Sequence, residues 1–146
     1  MSYNLKSLGR NFRLTDFQCA LGISQMNKLN KFIIRRREIA HLYDEAFSKD
    51  ERFLIPHVSV DVEHAYHLYP LQINFDKISL NKAIFFKRLN KKGIKLQVHY
   101  IPIYLQPYYV KRFGFKIGDY PIAENFYSNE ISLPIYYNLA DDEVEF

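Results

Sequence analysis

Apolar positions at helical spacing fill the first third of the chain and predict two consecutive helices. Leu14 precedes the segment TDFQ at residues 15–18, which has the form of a capping box, and the apolar pattern continues to about residue 47. A polar stretch at residues 27–30 predicts a break or bend between the helices. Beyond it the apolar residues share one broad helical face, made up of Leu29, Phe32, Ile33, Ile39, Ala40, Tyr43, Ala46 and Phe47.

The rest of the chain alternates short strands with helices. The patterns predict strands at residues 65–74, 94–100 and 131–133, and helices at residues 80–92 and 120–129. Prolines and aromatic residues predict a loop at residues 101–109, and residues 140–146 begin a helix that is not completed, which suggests that the chain was cut there. This alternation predicts an α/β (α+β) fold with a small sheet, in one domain of residues 1–146.

Composition and charge add limits on function. The 146 residues contain 20 Lys and Arg against 16 Asp and Glu, which gives a formal charge of +4. The one dense basic run, residues 35–37, lies on a predicted helix and indicates a solvated surface rather than a nucleic-acid site. A single cysteine, together with no leader and no apolar run of membrane length, predicts a cytoplasmic protein without a membrane partner.

Three isolated features favour structural roles. His64 and His67 have H-x-x-H spacing, but residues three apart on a strand point to opposite faces, so we predict hydrogen bonding and no metal site. Cys19 lies among apolar helical residues, which predicts a small buried side chain rather than a nucleophile. Gly22 is unfavourable inside a helix, which predicts close packing against another element.

Two segments carry candidate binding chemistry. Asn11 and Arg13 stand just before a helix N-terminus, where an anion such as phosphate is favoured, although plain loop capping explains them equally well. A predicted strand ends at His99 and Tyr100 and leads into a loop that contains Tyr104, as in a ligand-facing edge. The alternative is an aromatic core beneath a long loop.

Five segments in fixed order carry a resemblance to a known family. They are G-x-N-x-R-x-T-D-x-Q-x-A-L-G-x-x-Q at residues 9–25, RRREIAHLY at 35–43, AYHLYPL at 65–71, VHYIPIYLQPYY at 98–109 and YPIAENFYSNEISLPIY at 120–136. Together they resemble the C-terminal part of the DegT/DnrJ/EryC1/StrS family of sugar aminotransferases, which depend on pyridoxal 5'-phosphate (PLP). The resemblance spans nearly the whole chain.

The resemblance implies a fold and a set of binding residues. The fold is the small C-terminal domain of a fold-type I PLP aminotransferase, with long N-terminal helices and a small, mainly antiparallel sheet flanked by helices. The residues matching Asn11 and Arg13 reach the cofactor phosphate across a homodimer interface. Those matching His99 and Tyr100, with Tyr104, shape the sugar site. Arg10 stands where the family more often has an apolar residue, either as an extra contact to the substrate diphosphate or as mere variation.

The resemblance also implies the reaction. The segment HYIPIYLQPYY is similar to family members that aminate C4 of a UDP-linked 4-keto-6-deoxy-N-acetylhexosamine in pseudaminic acid synthesis, with glutamate as the expected amino donor. The Schiff-base lysine belongs to an N-terminal domain that no segment here resembles, so no catalytic residue is assigned. We therefore expect this chain alone to be inactive and not to retain PLP.

Two rivals to the aminotransferase interpretation remain. One is a stand-alone basic α/β module that binds single-stranded nucleic acid. The other is a dimerisation module without catalysis or a ligand of its own.

Overall fold

The computed structural model describes residues 12–145. Residues 1–31 and residues 32–146 form two separate compact units. In the first unit, helix α1 spans Asp16–Met26 and begins with the predicted capping box: the Thr15 side chain accepts from the Gln18 backbone N–H, and the Gln18 side chain accepts from the Thr15 backbone N–H. Without the capping box, the backbone N–H groups of Thr15 and Gln18 would have no partner at the helix start, which is why the helix begins there.

Helix α1 corrects two predictions. No residue of α1 is buried, and Cys19 is exposed rather than enclosed among apolar side chains. A Cβ atom built on Gly22 would meet nothing within 4 Å, so the expected close packing at this glycine is not found among the described residues. The apolar residues Phe17 and Ile23 are 80% and 64% exposed. The apolar pattern of the helix was identified correctly, but it does not form a core here.

Helix α2, Leu29–Phe47, packs its apolar face on a three-stranded antiparallel sheet. The sheet has the order β1 (Phe53–Leu54), β2 (Tyr69–Ile73) and β3 (Glu130–Leu133). The break between α1 and α2 lies where the polar stretch predicted it. Strand β2 lies within the predicted strand and β3 almost coincides with its prediction, whereas the two-residue β1 was not predicted.

The core lies between α2 and one face of the sheet. Alternation along β2 buries Tyr69, Leu71 and Ile73 on that face. The buried core consists of Ile39, Ala40, Tyr43, Tyr69, Leu71, Ile73, Ile131, Ile135 and Leu139. Full burial of one such aliphatic side chain contributes about 1.5–3 kcal/mol.

Two tyrosine hydroxyls in this core are paired. The Tyr43 hydroxyl donates to the Pro134 carbonyl over 2.7 Å, and the Tyr69 hydroxyl donates to Asp44 over 2.6 Å. Burial, with a smaller effect from Tyr136, raises the pKa of Tyr43 to about 12. Burial also raises the pKa of Tyr69, and Asp44 adds to the effect. Both hydroxyls therefore stay protonated at neutral pH and act as donors.

Four helices complete the second unit. They are α3 (Lys82–Lys91), α4 (Pro107–Phe113), α5 (Pro121–Asn129) and α6 (Asp141–Glu145), with a short 3-10 helix at Ile103–Leu105. Asn81 caps α3 by accepting from the Ile84 N–H over 2.8 Å, and Gly93 follows the helix with a φ of 88° that favours glycine. In the part of the chain that is described, no helix is long and apolar enough to cross a membrane.

Two predictions around residue 100 were wrong in detail. The predicted strand at residues 94–100 is reduced to a single antiparallel bridge between Gln97 and Ser132. The predicted loop at residues 101–109 contains the 3-10 helix and the start of α4, where Pro107 occupies the first turn. Proline suits that position because the first helical N–H has no partner within the helix. The α+β fold class with a small, mainly antiparallel sheet is confirmed.

The run Arg35-Arg36-Arg37 is not the solvated surface that its charge suggested. Arg36 donates from Nη1 to three carbonyl oxygens, those of Tyr66 at 2.9 Å, His67 at 3.1 Å and Ile135 at 2.9 Å. Its neighbours also bind backbone carbonyls: Arg35 contacts that of Leu139 and Arg37 that of His64. All three side chains are partly buried. Helical geometry sends three consecutive residues in different directions, so together they tie the loop before β2 and the loop after β3 to α2.

We predict that Arg36→Ala lowers the free energy of unfolding by about 2–4 kcal/mol, because three carbonyl groups lose a charged donor. The matched control is Arg88→Ala on the exposed side of α3, which should cost less than about 0.5 kcal/mol. Urea unfolding followed by circular dichroism measures both. Equal losses in the two variants would show that Arg36 acts only as surface charge.

Candidate functional site

Strand β3 places two polar side chains on the face of the sheet that is opposite to the α2 core. In its register with β2, Ile131 is opposite Leu71 on the core side, while Glu130 and Ser132 are opposite Gln72 and Pro70. Residues two apart on a strand point the same way, so Glu130 and Ser132 share the other face. Both are buried: Glu130 is 0% and Ser132 is 4% exposed.

The segment at residues 97–99 brings His99 to the same place. The Ser132 N–H donates to the Gln97 carbonyl over 2.8 Å, and the Gln97 N–H donates back over 3.4 Å. The His99 backbone N–H donates to Glu130 Oε2 over 3.0 Å, and His99 Nδ1 lies 2.7 Å from Ser132 Oγ. Ser132 Oγ in turn donates to Glu130 Oε1 over 2.5 Å.

Lys82 at the start of α3 is a further charged group near this cluster. Its ammonium donates to the Tyr127 carbonyl over 2.6 Å and lies 5.2 Å from the centre of the Tyr127 ring. Burial lowers the pKa of Lys82, and the negative charge of Glu130 partly offsets that effect. Because Tyr127 belongs to the last turn of α5, the ammonium also satisfies a carbonyl at the helix end, which favours a cation there.

Tyr100 and Tyr104 differ in what they offer to a ligand. Tyr100 is 69% exposed, and its ring meets the His99 ring edge-on with 4.5 Å between centroids. Tyr104 is partly buried among aromatic rings, with Tyr120 at 4.7 Å, and its hydroxyl donates to Glu124. The aromatic-core alternative therefore describes Tyr104 well. Tyr100 is the tyrosine whose ring is open to a ligand.

Glu124 connects the aromatic cluster to the following loop. Its Oε1 accepts from the Tyr104 hydroxyl and also from the Gly118 N–H, at 2.7 Å. These two donors, the Tyr104 hydroxyl first, hold the pKa of Glu124 below its usual value. Partial burial, then the hydrogen bond to Glu124, raises the pKa of Tyr104 to about 12.

Of the predicted phosphate-binding residues, only Arg13 can be placed. Arg10 and Asn11 lie outside the described residues. Arg13 is exposed two positions before the helix cap at Thr15, and within residues 12–145 it makes no ion pair. The capping box engages the N–H of Gln18, so the earlier N–H groups of α1 have no partner within the helix. A guanidinium beside such groups suits a phosphate.

Other parts of the described chain offer less chemistry. Within residues 12–145 no cluster of three or more His, Cys, Asp or Glu side chains could hold a metal ion. His64 Nδ1 accepts from the Tyr66 N–H over 3.2 Å, in agreement with the predicted hydrogen-bonding role. An open groove of about 390 Å³ has Phe86, Lys91 and Leu96 among its lining residues, which include none of the candidate site residues.

Comparison with known proteins identifies the family. The whole chain, residues 1–146, matches the sequence model of the DegT/DnrJ/EryC1/StrS aminotransferase family. The chain belongs to this family. An uncharacterized protein of Methanocaldococcus jannaschii is 44% identical over 142 residues, covering 97% of this chain and 37% of the relative. The UDP-4-amino-4,6-dideoxy-N-acetyl-beta-L-altrosamine transaminase of Helicobacter pylori is 38% identical over 141 residues, with 97% and 37% coverage.

Solved structures of family aminotransferases share the fold. Helicobacter pylori PseC, an aminotransferase involved in the biosynthesis of pseudoaminic acid, matches with a TM-score of 0.85 and 37% identity, over 97% of this chain and 38% of that one. Streptococcus pneumoniae Spr1654 in its PLP form matches with a TM-score of 0.83 and 29% identity, over 99% and 36%. The chain thus spans somewhat more than a third of the length of the relatives it matches.

The sequence analysis did not identify three residues of this region: the buried Glu130 and Ser132, and the partly buried Lys82 near them. A signal for two of them was present, because the segment EIS places Glu130 and Ser132 two apart in a predicted strand and therefore on one face. No sequence signal indicates that His99 would meet them. That contact is made between residues 33 positions apart.

We predict that Glu124→Gln makes the free energy of unfolding less sensitive to acid. Because the folded-state pKa of Glu124 is lowered, its stabilising contribution is complete above the unfolded value of 4.5 and is lost as the pH falls through the folded value. The stability difference between wild type and variant should therefore be constant at neutral pH and shrink as the pH falls below the unfolded value towards the lower folded value.

The control for this prediction is Ser128→Ala on the same helix, because it removes a hydroxyl that does not titrate in this range. Its stability difference from wild type should stay constant with pH. A constant difference for Glu124→Gln as well would contradict the role of the Tyr104 and Gly118 contacts.

Proposed function

We propose that residues 1–146 are the small C-terminal domain of a PLP-dependent sugar-nucleotide aminotransferase. The parent enzyme transfers an amino group from glutamate to C4 of a UDP-linked 4-keto-6-deoxy-N-acetylhexosamine. The observation that carries the proposal is the family match along the entire chain, joined with a relative whose name is that of a UDP-amino-sugar transaminase. Such a reaction belongs to nucleotide-sugar and surface-glycan biosynthesis in the cytoplasm.

Cofactor binding is assigned to the loop before α1. Asn11 and Arg13 contact the PLP phosphate of the other subunit in a homodimer, because an amide and a guanidinium next to a helix start favour a phosphate. The exposure of Arg13 in this chain agrees with a partner located outside it. When bound, PLP supplies the electron sink for amino transfer, and the lysine that binds it comes from the N-terminal domain.

Substrate binding is assigned to the edge at residues 99–104. The exposed Tyr100 ring offers an apolar surface to the sugar, and the His99 imidazole, held by Ser132, offers a polar contact. Tyr104 shapes the wall of the site through its aromatic cluster. Arg10 is a candidate for an additional contact to the substrate diphosphate, since a guanidinium binds phosphate oxygens in pairs.

A second candidate, a dimerisation module without catalysis, is favoured by one observation. Helix α1 exposes Phe17, Leu21, Ile23 and Met26, each more than half accessible. Apolar side chains on this scale indicate a surface that another chain or domain covers. The two candidates differ in whether a lysine-bearing domain belongs to the same protein.

The first test is the complete reading frame that contains residues 1–146 in its genome. We expect the frame to extend upstream and to encode a lysine-bearing PLP domain. The purified product should then convert the UDP-linked 4-keto sugar and glutamate to the amino sugar and 2-oxoglutarate, detected by mass spectrometry. A stop codon and ribosome-binding site directly upstream of Met1 would refute the enzyme and leave the dimerisation module.

We predict that Asn11→Ala and Arg13→Ala each weaken PLP binding by the complete dimer about ten- to a hundred-fold, because each removes a charge-assisted hydrogen bond to phosphate. Cofactor absorbance after dialysis measures retention. Lys28→Ala, an exposed cation in the same unit, should retain PLP as the wild type does. Unchanged occupancy in both variants would refute the assigned role.

A further inference from the structure

Hydrogen bonds link the side chains of Glu130, Ser132 and His99 in the buried cluster. Glu130 receives two donors, one on each carboxylate oxygen: the His99 backbone N–H on Oε2 and the Ser132 hydroxyl on Oε1. Ser132 Oγ has His99 Nδ1 as its second partner, at 2.7 Å. A serine hydroxyl carries one hydrogen, so it donates to only one of these two neighbours.

The charge state of Glu130 decides which neighbour receives that hydrogen. An ionised carboxylate only accepts, so Ser132 must donate to Glu130, and His99 Nδ1 must donate to Ser132. A protonated Glu130 could donate to Ser132 instead. The Ser132 hydroxyl would then donate its hydrogen bond to His99 Nδ1, which would be the acceptor. The geometry matches the first of these two arrangements, because each carboxylate oxygen of Glu130 faces a donor.

We propose that Glu130 and Ser132 are positioning residues that hold the His99 ring with its hydrogen on Nδ1, so that Nε2 accepts a hydrogen bond from a hydroxyl or amide N–H of the sugar substrate. Within the described residues Nε2 has no hydrogen-bond partner. The assignment of the substrate rests on the proposed aminotransferase function, whereas the ring tautomer does not.

This arrangement limits what His99 can bind. An unprotonated Nε2 repels the oxygens of a diphosphate and attracts a donor, so His99 recognises the sugar ring or its N-acetyl group. The diphosphate must then be bound by other residues. A histidine without the Ser132 contact could present either nitrogen, and it would lose that selectivity.

The test is nitrogen NMR of the ¹⁵N-labelled 146-residue chain, at a pH where histidine side chains are neutral. Long-range proton–nitrogen correlations report which ring nitrogen carries the hydrogen. We expect His99 to be protonated on Nδ1 in the wild type. Protonation on Nε2 would overturn the proposal, because it would mean that Glu130 donates to Ser132 rather than accepting from it. This measurement needs no variant and no enzymatic activity.

Variants then separate positioning from simple packing. Ser132→Ala should shift His99 towards the Nε2-protonated form, whereas Ser132→Thr keeps a hydroxyl and should keep the wild-type pattern. His57, an exposed histidine in the same spectra, should not change in either variant. An unchanged His99 tautomer in a folded Ser132→Ala chain would show that Ser132 does not set the ring hydrogen, which contradicts the proposal.

In the complete enzyme, Ser132→Ala should raise the KM for the sugar nucleotide about tenfold and leave the KM for glutamate unchanged. Ser132→Thr should restore the wild-type value, and Ser128→Ala on α5 serves as the matched serine control. A normal KM in Ser132→Ala overturns the substrate contact. Absence of transamination in the wild type refutes the proposed function instead, and the tautomer result stands apart from it.

Discussion

The antiparallel register of β3 against β2 is the constraint on which both sides of the second unit depend. It places Ile131 opposite Leu71 in the core, and in the same step it turns Glu130 and Ser132 to the other face. A shift by one residue would exchange the two faces, placing Ile131 on the polar face and the Glu130 carboxylate against α2. The apolar core and the polar cluster are therefore specified together, and the cost of burying Glu130 is offset by its hydrogen bonds and by Lys82.

Arginine plays an unusual part in holding this unit together. In place of ion pairs on a solvated helix face, Arg36 binds the carbonyls of the loops before β2 and after β3. The two hydrogens on its Nη1 are shared among three carbonyl oxygens, those of Tyr66, His67 and Ile135. These two loops lie at the same end of the sheet, where Tyr69 pairs with Leu133, and Arg36 attaches both of them to α2.

The proposed function connects three exposed parts of the described chain. It assigns a partner surface to the unburied helix α1, a cofactor phosphate to the exposed Arg13 and a sugar to the open ring of Tyr100. The chain covers 37% of the length of the Helicobacter pylori relative.

Local chemistry was sufficient for much of the fold. The capping box at Thr15, the apolar face of α2 with Tyr43, and the residue order of the family motifs could be read from the sequence, because each involves neighbours within a few positions. The exposure of Cys19 could not be predicted, since it depends on what packs against α1. The carbonyl contacts of Arg36 and the meeting of His99 with Ser132 join residues 30 or more positions apart. Only the tertiary structure decides such contacts, because they depend on the register of the sheet and the paths of the loops.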